Sequence, residues 1–190
     1  KVIALSTDKA CSPINLYDAT KLCSDKLFVA ANLFKEKKNI IFSVVRYGNV
    51  LGSRGSVIPV FLRSIKSGIN LEMTNKDVTR FAMSISGAVE LVLESLTFSS
   101  KGEIFVMKMK SFCLGDLLQA FKNIFYEKYN FEVEFIGLQE GEKLHEELIT
   151  ANEISEVWES DKFFAIANEK SQLMSDFKKP KFESYDSSQV

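Results

Sequence analysis

Hydrophobic residues along the chain fall into two patterns that alternate from the amino end onward. Short runs of adjacent apolar residues predict buried strands, and apolar residues spaced three or four positions apart predict helices with one buried face. The predicted strands are residues 2–6, 40–47, 103–107 and 131–135. The predicted helices are residues 15–37, 61–66, 86–98 and 114–125. Strands that alternate with helices indicate an α/β fold with a parallel sheet.

Three segments add to this pattern. Residues 48–59 contain Gly48, Gly52, Gly55 and Pro59, which predicts a loop. Residues 168–190 are mostly polar, with repeated serine, aspartate and lysine, and we expect a poorly ordered tail there. The chain enters its first strand at residue 2 without a preceding methionine, which is typical of a cut inside a larger domain. We therefore expect these residues to be the carboxyl-terminal part of a longer protein.

The amino-acid composition excludes several classes of binding partner. The 190 residues carry 24 basic and 25 acidic side chains, which argues against a nucleic acid or an anionic membrane as the main partner. No apolar run approaches the roughly 18 residues of a membrane span, and no signal peptide is visible. Three cysteines without metal-like spacing and the single His145 predict that no metal is bound. We therefore expect a reduced, cytoplasmic protein.

Residues able to carry acid–base chemistry follow the first predicted strand. Thr7, Asp8 and Lys9 stand at its carboxyl end, where ligands bind in open α/β sheets. Tyr17 and Lys21 are four residues apart on the next helix, so both side chains lie on one face. A nearby ammonium group favours the phenolate form of a tyrosine, which is the form that acts as a general base. The alternative is an ordinary surface pair, but a preceding strand that ends in a hydroxyl residue favours catalysis.

In combination these residues resemble a known enzyme family. Residues 6–28 are similar, nearly word for word, to the 5-inverting UDP-N-acetylglucosamine 4,6-dehydratases. Those enzymes are extended short-chain dehydrogenase/reductases of the polysaccharide biosynthesis type, and they open the pseudaminic acid pathway. Residues 45–59, 79–81 and 141–147 match later motifs of that family, and the resemblance covers roughly residues 1–167.

The resemblance implies the carboxyl-terminal part of an NADP-binding Rossmann-type fold with a small substrate-binding subdomain. Residues 1–50 would hold the end of the Rossmann domain with the catalytic helix. Residues 51–167 would mix substrate-binding elements with the remaining Rossmann elements, ahead of the polar tail at 168–190. Homo-oligomers are common in such families, so a homo-oligomer is expected by analogy.

The resemblance also implies a redox cycle on one UDP-sugar. Hydride from C4 passes to bound NADP⁺ while Tyr17 takes the hydroxyl proton. Water then leaves across C5 and C6, and the hydride returns to C6, which gives a UDP-4-keto-6-deoxy-N-acetylhexosamine with inverted C5. Because elimination needs an extra acid and an extra base, we assign Asp8 to protonate the C6 hydroxyl and Lys9 to handle the C5 proton. The two roles are exchangeable at this point.

Further residues carry binding roles by the same resemblance. The expected cofactor-binding residues are Thr7, Tyr17, Lys21 and Tyr47. The expected substrate-binding residues are Asn49, Arg54, Arg80 and Glu142. Lys21 is expected to bind the nicotinamide ribose, and Arg80 to pair with the diphosphate, where a guanidinium binds bidentately. The alternative for Arg80 is a surface salt bridge.

Three departures from the family pattern keep other functions open. Gln139 and Glu140 replace the usual Arg-Pro, and Asp18 stands where the family prefers glycine. The sequence also lacks Gly-x-Gly-x-x-Gly, the phosphate-binding turn that opens this fold. The alternatives are a related 4-epimerase, a retaining dehydratase, or a truncated UDP-sugar-binding fragment without activity. The pair Asp8 and Lys9 disfavours a plain epimerase, which has no need of an elimination acid.

Overall fold

The structure is a computed structural model that describes residues 1–34 and 39–189. Its helices are α1 (Leu16–Ala30), α2 (Val57–Lys66), α3 (Ile85–Phe98) and α4 (Leu114–Tyr129). Its strands are β1 (Val2–Thr7), β2 (Phe42–Tyr47), β3 (Asn49–Val50), β4 (Leu71–Met73), β5 (Thr79–Met83), β6 (Ile104–Met107), β7 (Lys110–Cys113), β8 (Val133–Phe135), β9 (Glu147–Ile149), β10 (Val157–Glu159), β11 (Phe163–Ile166) and β12 (Tyr185–Asp186). Short 3₁₀ turns cover Asp8–Ala10, Ala31–Leu33, Ile154–Glu156 and Gln172–Met174.

A five-stranded sheet forms the centre of the molecule, in the order β1-β2-β6-β11-β10. The first three strands run parallel, and β11 and β10 are added antiparallel. Strand β2 lies between two parallel neighbours and is buried, which explains why its sequence is a nearly continuous apolar run. Helices connect the parallel strands, so the structure confirms the predicted α/β fold.

Helices α1 and α3 cover opposite faces of this sheet. Neighbouring residues of a strand point to opposite faces. Val44 of β2 shares a core cluster with Phe28 and Val29 of α1, whereas Val45 shares another with Leu91 of α3. Because α1 follows β1 after a short connection, its first turn lies near the carboxyl end of β1, where the predicted acid–base residues stand.

A second core lies beside the sheet and is built from later parts of the chain. Buried Phe61 of α2 packs with Leu71 of β4 and Phe121 of α4. Strand β8 pairs in parallel with β4, and β3, β5 and β7 form a separate three-stranded sheet. In the chain, β6 follows α3 and precedes β7, and it belongs to the central sheet. The later half of the chain therefore contributes to both cores.

Strand β1 is an edge strand of the central sheet. Among residues 1–34 and 39–189, no strand pairs with its outer side, and Leu5 on it is 65% exposed. Helices α1 and α3 also carry exposed apolar side chains, and these include Leu16, Leu27, Ile85, Val89 and Leu93. An unpaired apolar edge is a ready template for association with another strand.

The segment expected to be a poorly ordered tail differs in the structure, where residues 168–189 pack onto the protein. Met174 and Phe177 are buried in the core cluster that contains Val45. Tyr185 is buried as well, and its hydroxyl donates to the carbonyl of Met109 at 2.9 Å and accepts from the amide of the same residue at 2.8 Å. The expectation failed because these apolar residues stand singly among polar ones and show no periodic pattern.

Several predicted boundaries shift in the structure. Residues 48–59, predicted as a loop, include β3 and the start of α2, which begins at Val57. Helix α1 ends at Ala30, and the predicted continuation over residues 35–37 lies outside the described residues. Helix α4 runs on to Tyr129 and ends where Asn130 adopts a left-handed conformation with φ 43°.

Membrane insertion by a helix would need a long apolar segment. Within the described ranges, every helix is too short or too polar to span a bilayer.

Candidate active site

The carboxyl end of β1 turns directly into the Asp8–Ala10 turn. Thr7 caps this turn, because its hydroxyl accepts a hydrogen bond from the amide of Lys9 at 3.3 Å. The same hydroxyl donates to Oδ1 of Asp8 at 2.6 Å. Thr7 therefore fixes the two residues that the sequence singled out for acid–base chemistry, and its hydroxyl is engaged within the turn.

Lys9 lies between two buried carboxylates. Its Nζ donates to Oδ1 of Asp8 at 3.3 Å and to Oε1 of Glu146 at 2.5 Å. Asp8 and Glu146 are each 2% exposed. Burial lowers the pKa of Lys9, but the two negative charges and their hydrogen bonds raise it, and the resulting pKa lies above the ordinary value of 10.5. Lys9 is therefore held as an ammonium group.

Each of the two carboxylates also has a free oxygen. Oδ2 of Asp8 and Oε2 of Glu146 are buried and accept no hydrogen bond in the described part of the chain. A buried polar atom without a partner is costly, so such atoms are concentrated at functional sites. These two oxygens are acceptors that a bound hydroxyl group can satisfy.

Arg80 on β5 connects this cluster to a neighbouring cavity. Its Nε lies 3.7 Å from Oε1 of Glu146. Its Nη1 donates to the carbonyl oxygens of Thr79 at 2.8 Å and of Leu144 at 3.3 Å. Arg80 also lines the cavity, so one guanidinium is shared between the acid–base cluster and the adjacent space.

The cavity has a volume of about 360 Å³. It brings together three of the four residues predicted to bind substrate, namely Asn49, Arg80 and Glu142. Oδ1 of Asn49 is buried and has no hydrogen-bond partner among residues 1–34 and 39–189. The apolar part of the wall includes Val50, Val57, Phe61, Val78, Phe112 and Leu114. Such a mixture of apolar walls and a few polar groups is typical of a small-molecule site.

Arg54 does not line this cavity. It lies exposed in the loop between β3 and α2. Gly52 and Gly55 flank it with φ values of 75° and 80°, a backbone conformation that glycine adopts easily. Its predicted contact with substrate stays a prediction.

Gly48 sets the approach of β3 to β5. A Cβ atom at Gly48 would lie 2.6 Å from Cβ of Phe81, so no larger residue fits without a shift of the backbone. The close approach lets β3 and β5 pair in parallel, with Asn49 opposite Ala82. It thereby places Asn49 and Arg80 on adjacent strands.

Tyr17 and Lys21 lie together on α1, as their spacing predicts. Nζ of Lys21 is 5.1 Å from the centroid of the Tyr17 ring, and Tyr17 is 61% exposed. The helix begins there because Oδ1 of Asn15 accepts a hydrogen bond from the amide of Asp18 at 2.8 Å. Asp18, which replaces the family's glycine, is buried beside this cap.

The later motif at residues 141–147 lies along the loop that joins β1 to α1. Besides the ion pair of Glu146 with Lys9, Nζ of Lys143 donates to the carbonyl of Cys11 at 2.7 Å. Ser12 donates to Glu147, and Asn15 donates to the carbonyl of Gly141. Two motifs more than a hundred residues apart in the sequence therefore form one site.

Tyr47 was expected to bind the cofactor, and its hydroxyl is engaged elsewhere. It donates to the carbonyl of Ala88 on α3 at 3.1 Å. Burial raises the pKa of Tyr47 above its ordinary value. The side chain therefore ties β2 to α3, and a cofactor contact of this residue stays a prediction.

Arg46, in the same motif as Tyr47, is fully buried and has a structural role. It donates to Oδ2 of Asp25 at 2.9 Å, to both oxygens of Glu153 at 3.0 and 2.8 Å, and to the carbonyl of Leu148 at 3.1 Å. It also contacts the sulfur of Cys11, the residue that follows the Asp8–Ala10 turn. This network joins β2 to α1, to β9 and to the loop between β1 and α1.

Glu146 is the residue of the site to which sequence reasoning assigned no role. It stands in the motif at residues 141–147, which the resemblance identified, but nothing in the sequence shows that it reaches Lys9. His145 beside it has Nδ1 2.8 Å from Oγ1 of Thr79. The sequence therefore pointed to Glu146 only through its motif. The contact between Glu146 and Lys9 is shown by the structure alone.

The family model of the polysaccharide biosynthesis proteins matches residues 1–168. The chain belongs to this family. It is 45% identical to a UDP-N-acetylglucosamine 4,6-dehydratase (inverting) of Campylobacter jejuni, over 88% of this chain and 48% of that protein. An uncharacterized membrane protein of Methanocaldococcus jannaschii is 44% identical over 87% of this chain and 51% of its own length. A UDP-glucose 4-epimerase of Rickettsia rickettsii is 41% identical over 82% of this chain and 45% of that protein.

A solved structure shares the fold of this chain. The X-ray structure of Pen from Bacillus thuringiensis superposes with a TM-score of 0.89 at 37% sequence identity, and the match covers 98% of this chain and 57% of that one. The chain spans about half the length of the curated relatives it matches. These relatives are nucleotide-sugar dehydratases and epimerases where an activity is named, and the fold is that of the extended short-chain dehydrogenase/reductases.

Proposed function

We propose that this chain supplies the catalytic and sugar-binding part of a nucleotide-sugar 4,6-dehydratase. The substrate we propose is UDP-N-acetylglucosamine, with inversion at C5. The observation that carries the proposal is the ammonium group of Lys9 between the buried carboxylates of Asp8 and Glu146, next to a cavity that shares Arg80. An elimination needs such an acid and such a base side by side, whereas a reversible oxidation at C4 needs only the proton acceptor that Tyr17 would supply.

The cavity suits the substrate that we propose. The guanidinium of Arg80 would bind a diphosphate oxygen, where a hydrogen bond between two charged groups is stronger than a neutral one. The unpartnered Oδ1 of Asn49 would accept a hydrogen bond from a sugar or base group. Glu142, also in the lining, would accept from hydroxyl groups. Apolar residues of the wall would pack against the rings.

The chain offers residues for the nicotinamide end of a cofactor, which we take to be NADP. The exposed Tyr17 with Lys21 beside it would hold the nicotinamide ribose and the sugar hydroxyl. The sequence contains no glycine-rich turn for the phosphates, so these residues alone do not hold the other half of a dinucleotide. When bound, the cofactor supplies a hydride acceptor and donor.

The proton transfers that we propose are carried by three side chains. Tyr17 takes the proton of the C4 hydroxyl as that carbon is oxidised. Asp8 then takes the C5 proton, which the C4 ketone makes acidic, and Lys9 gives a proton to the C6 hydroxyl, which leaves as water. This order exchanges the roles first assigned from the sequence, because the contacts of Lys9 with Asp8 and Glu146 keep its amine protonated before the reaction, so that it cannot begin as the base. The contact of 3.3 Å between Lys9 and Asp8 gives a direct path that returns the proton to Lys9. As the hydride returns to C6, Lys9 would give that proton to the opposite face of C5, and the proton held by Tyr17 would then restore the ammonium group of Lys9.

A 4-epimerase is the second candidate, because UDP-glucose 4-epimerases are among the relatives. An epimerase would use Tyr17 in the same way. It would leave the cluster of Asp8, Lys9 and Glu146 without a chemical task. Incubation of an active protein with UDP-N-acetylglucosamine distinguishes the two candidates, since only a dehydratase releases water and lowers the mass of the sugar.

The binding part of the proposal can be tested on the 190-residue chain itself. Arg80→Ala should weaken binding of UDP-N-acetylglucosamine by roughly 10- to 100-fold, because a hydrogen bond to a charged group contributes about 1.5–3 kcal/mol. Isothermal titration calorimetry measures the change. Arg63→Ala is the matched control, because Arg63 lies exposed on α2 and does not line the cavity. Equal losses in the two variants, or none in either, would count against the cavity as the substrate site.

The same chain is expected not to bind NADP(H) tightly and not to turn over substrate. The phosphates of a dinucleotide bind to a glycine-rich turn at a helix amino terminus, and these residues contain no such turn. Calorimetric titration of the isolated chain with NADPH measures the affinity. A dissociation constant in the micromolar range or below would show that another part of the chain holds the phosphates.

A further inference from the structure

Glu146 contributes its carboxylate to the site and its backbone to the fold, and the two parts have separate partners. Its amide donates to Oγ of Ser187 at 2.9 Å, and its carbonyl accepts from the amide of Ser187 at 2.8 Å. In its side chain, Oε1 contacts both Lys9 and Arg80. The backbone position of Glu146 is therefore fixed without its carboxylate, which leaves the carboxylate for another role.

Burial makes this carboxylate unusual. Placing a carboxylate in a protein interior costs several kcal/mol unless cations and hydrogen bonds compensate, by order of magnitude. Oε1 has Lys9 at 2.5 Å and Arg80 at 3.7 Å, but Oε2 has no partner in the described residues. A carboxylate placed only for stability would be expected to use both oxygens.

The charged groups around Lys9 come from three elements. Asp8 lies in the same turn, Glu146 immediately precedes β9, and Arg80 on β5 faces Glu146 from the other side. With Lys9 protonated, two cations balance two anions. Loss of that proton would leave two buried carboxylates with Arg80 alone, so the cluster opposes it.

We propose that Glu146 is a positioning residue that keeps the amino group of Lys9 charged and aimed at the space beside Asp8. The inference rests on the proposed function and deepens it, because it names the residue that orients Lys9 toward the proposed site of elimination. It gives Glu146 no contact with substrate.

The test follows Lys9 itself and needs no catalytic activity. The ¹³Cε chemical shift of Lys9 is titrated against pH in the 190-residue chain with ¹³C-labelled lysine, and Lys9→Arg assigns the signal. In the wild-type protein the midpoint should lie above the ordinary lysine value of 10.5. Glu146→Gln should move the midpoint down, and Glu146→Asp, which keeps the charge, should restore part of the shift.

The matched control is Glu147→Gln, which removes the same charge one residue away. Glu147 accepts from Ser12 and has no contact with Lys9. The midpoint of Lys9 should stay at the wild-type value in this variant. An unchanged midpoint in Glu146→Gln, or an equal drop in both variants, would overturn the proposal.

A second measurement keeps the proposal testable if the protein unfolds at alkaline pH or if Glu146→Gln does not fold. Acylation of Lys9 by an N-hydroxysuccinimide ester at neutral pH, read by peptide mass spectrometry, reports the uncharged fraction of the amine. In the wild-type protein Lys9 should react more slowly than the exposed Lys66 at the end of α2. Equal rates in the wild-type protein would overturn the proposal without any variant. Failure of UDP-sugar binding leaves these readouts unaffected, so the proposed function and this inference fail separately.

Discussion

Replacing Tyr17 with phenylalanine is expected to slow oxidation at sugar C4 by roughly 10²–10⁴-fold, because the change removes the proton acceptor. The ring and its packing remain, and Tyr17 is 61% exposed, so little stability should be lost. The experiment uses a protein that joins these residues to the nucleotide-binding half of a relative. Single-turnover reduction of NADP⁺, followed by absorbance, measures the oxidation step.

Asp8→Asn in the same joined protein is the control that separates the two chemical steps. It should leave reduction of the cofactor near the wild-type rate and slow the loss of water, so that NADPH or a 4-keto sugar with its 6-hydroxyl accumulates. Lys21→Ala should lower both cofactor affinity and rate, because its ammonium would serve both. If Tyr17→Phe reduces NADP⁺ at the wild-type rate, the assignment of the whole active site is wrong.

Replacing Arg46 with alanine is expected to lower the free energy of unfolding by about 3–5 kcal/mol, the cost of removing one partner from a buried ion pair. Asp25, which is as deeply buried, would lose its cation, and Glu153 would lose two hydrogen bonds. Urea denaturation followed by circular dichroism measures the loss. The control Arg54→Ala removes an exposed arginine and should change stability by less than about 0.5 kcal/mol. A loss below about 1 kcal/mol for Arg46→Ala would show that the network contributes little.

The same network predicts a dependence of stability on pH. Burial by itself would raise the pKa of Glu153, but the hydrogen bonds and charge of Arg46 lower it below the ordinary value of 4.5. A carboxylate whose pKa is lowered by folding stabilises the protein above its unfolded pKa, and this contribution is lost as the pH falls through the folded value. The wild-type unfolding free energy should therefore decline below pH 4.5, and Glu153→Gln should decline less.

Residue patterns predicted the long elements of the fold and left out the short ones. The apolar run that became β2 and the helical spacing that became α1 each involve enough residues to show a period. Strands β3, β4, β9 and β12 have two or three residues, which is too few for a period. Their positions depend on pairing partners far along the chain, which no local pattern records.

The candidate site could be predicted in part, for a similar reason. Asp8 and Lys9 lie in one turn, and Tyr17 and Lys21 lie on the helix that follows it, so their proximity follows from local structure. Glu146 reaches Lys9 across 137 residues, and only the fold brings the two together.

The burial of Arg46 was also invisible in the sequence. The sequence around a charged residue in an apolar run is the same whether its side chain binds a ligand or pairs with a buried carboxylate. The partners that decide the matter, Asp25 and Glu153, lie on other elements.

The pairing of Ser187 with Glu146 affects how the site forms during synthesis. Ser187 is 41 residues further along the chain than Glu146. At about 5–20 residues per second, the ribosome adds that stretch in roughly 2–8 s. During this interval Lys9 and Asp8 are already made, but the segment that carries Glu146 lacks the strand that fixes its backbone. The acid–base cluster should therefore be among the last parts of the chain to reach its final geometry, after the parallel strands of the central sheet have formed.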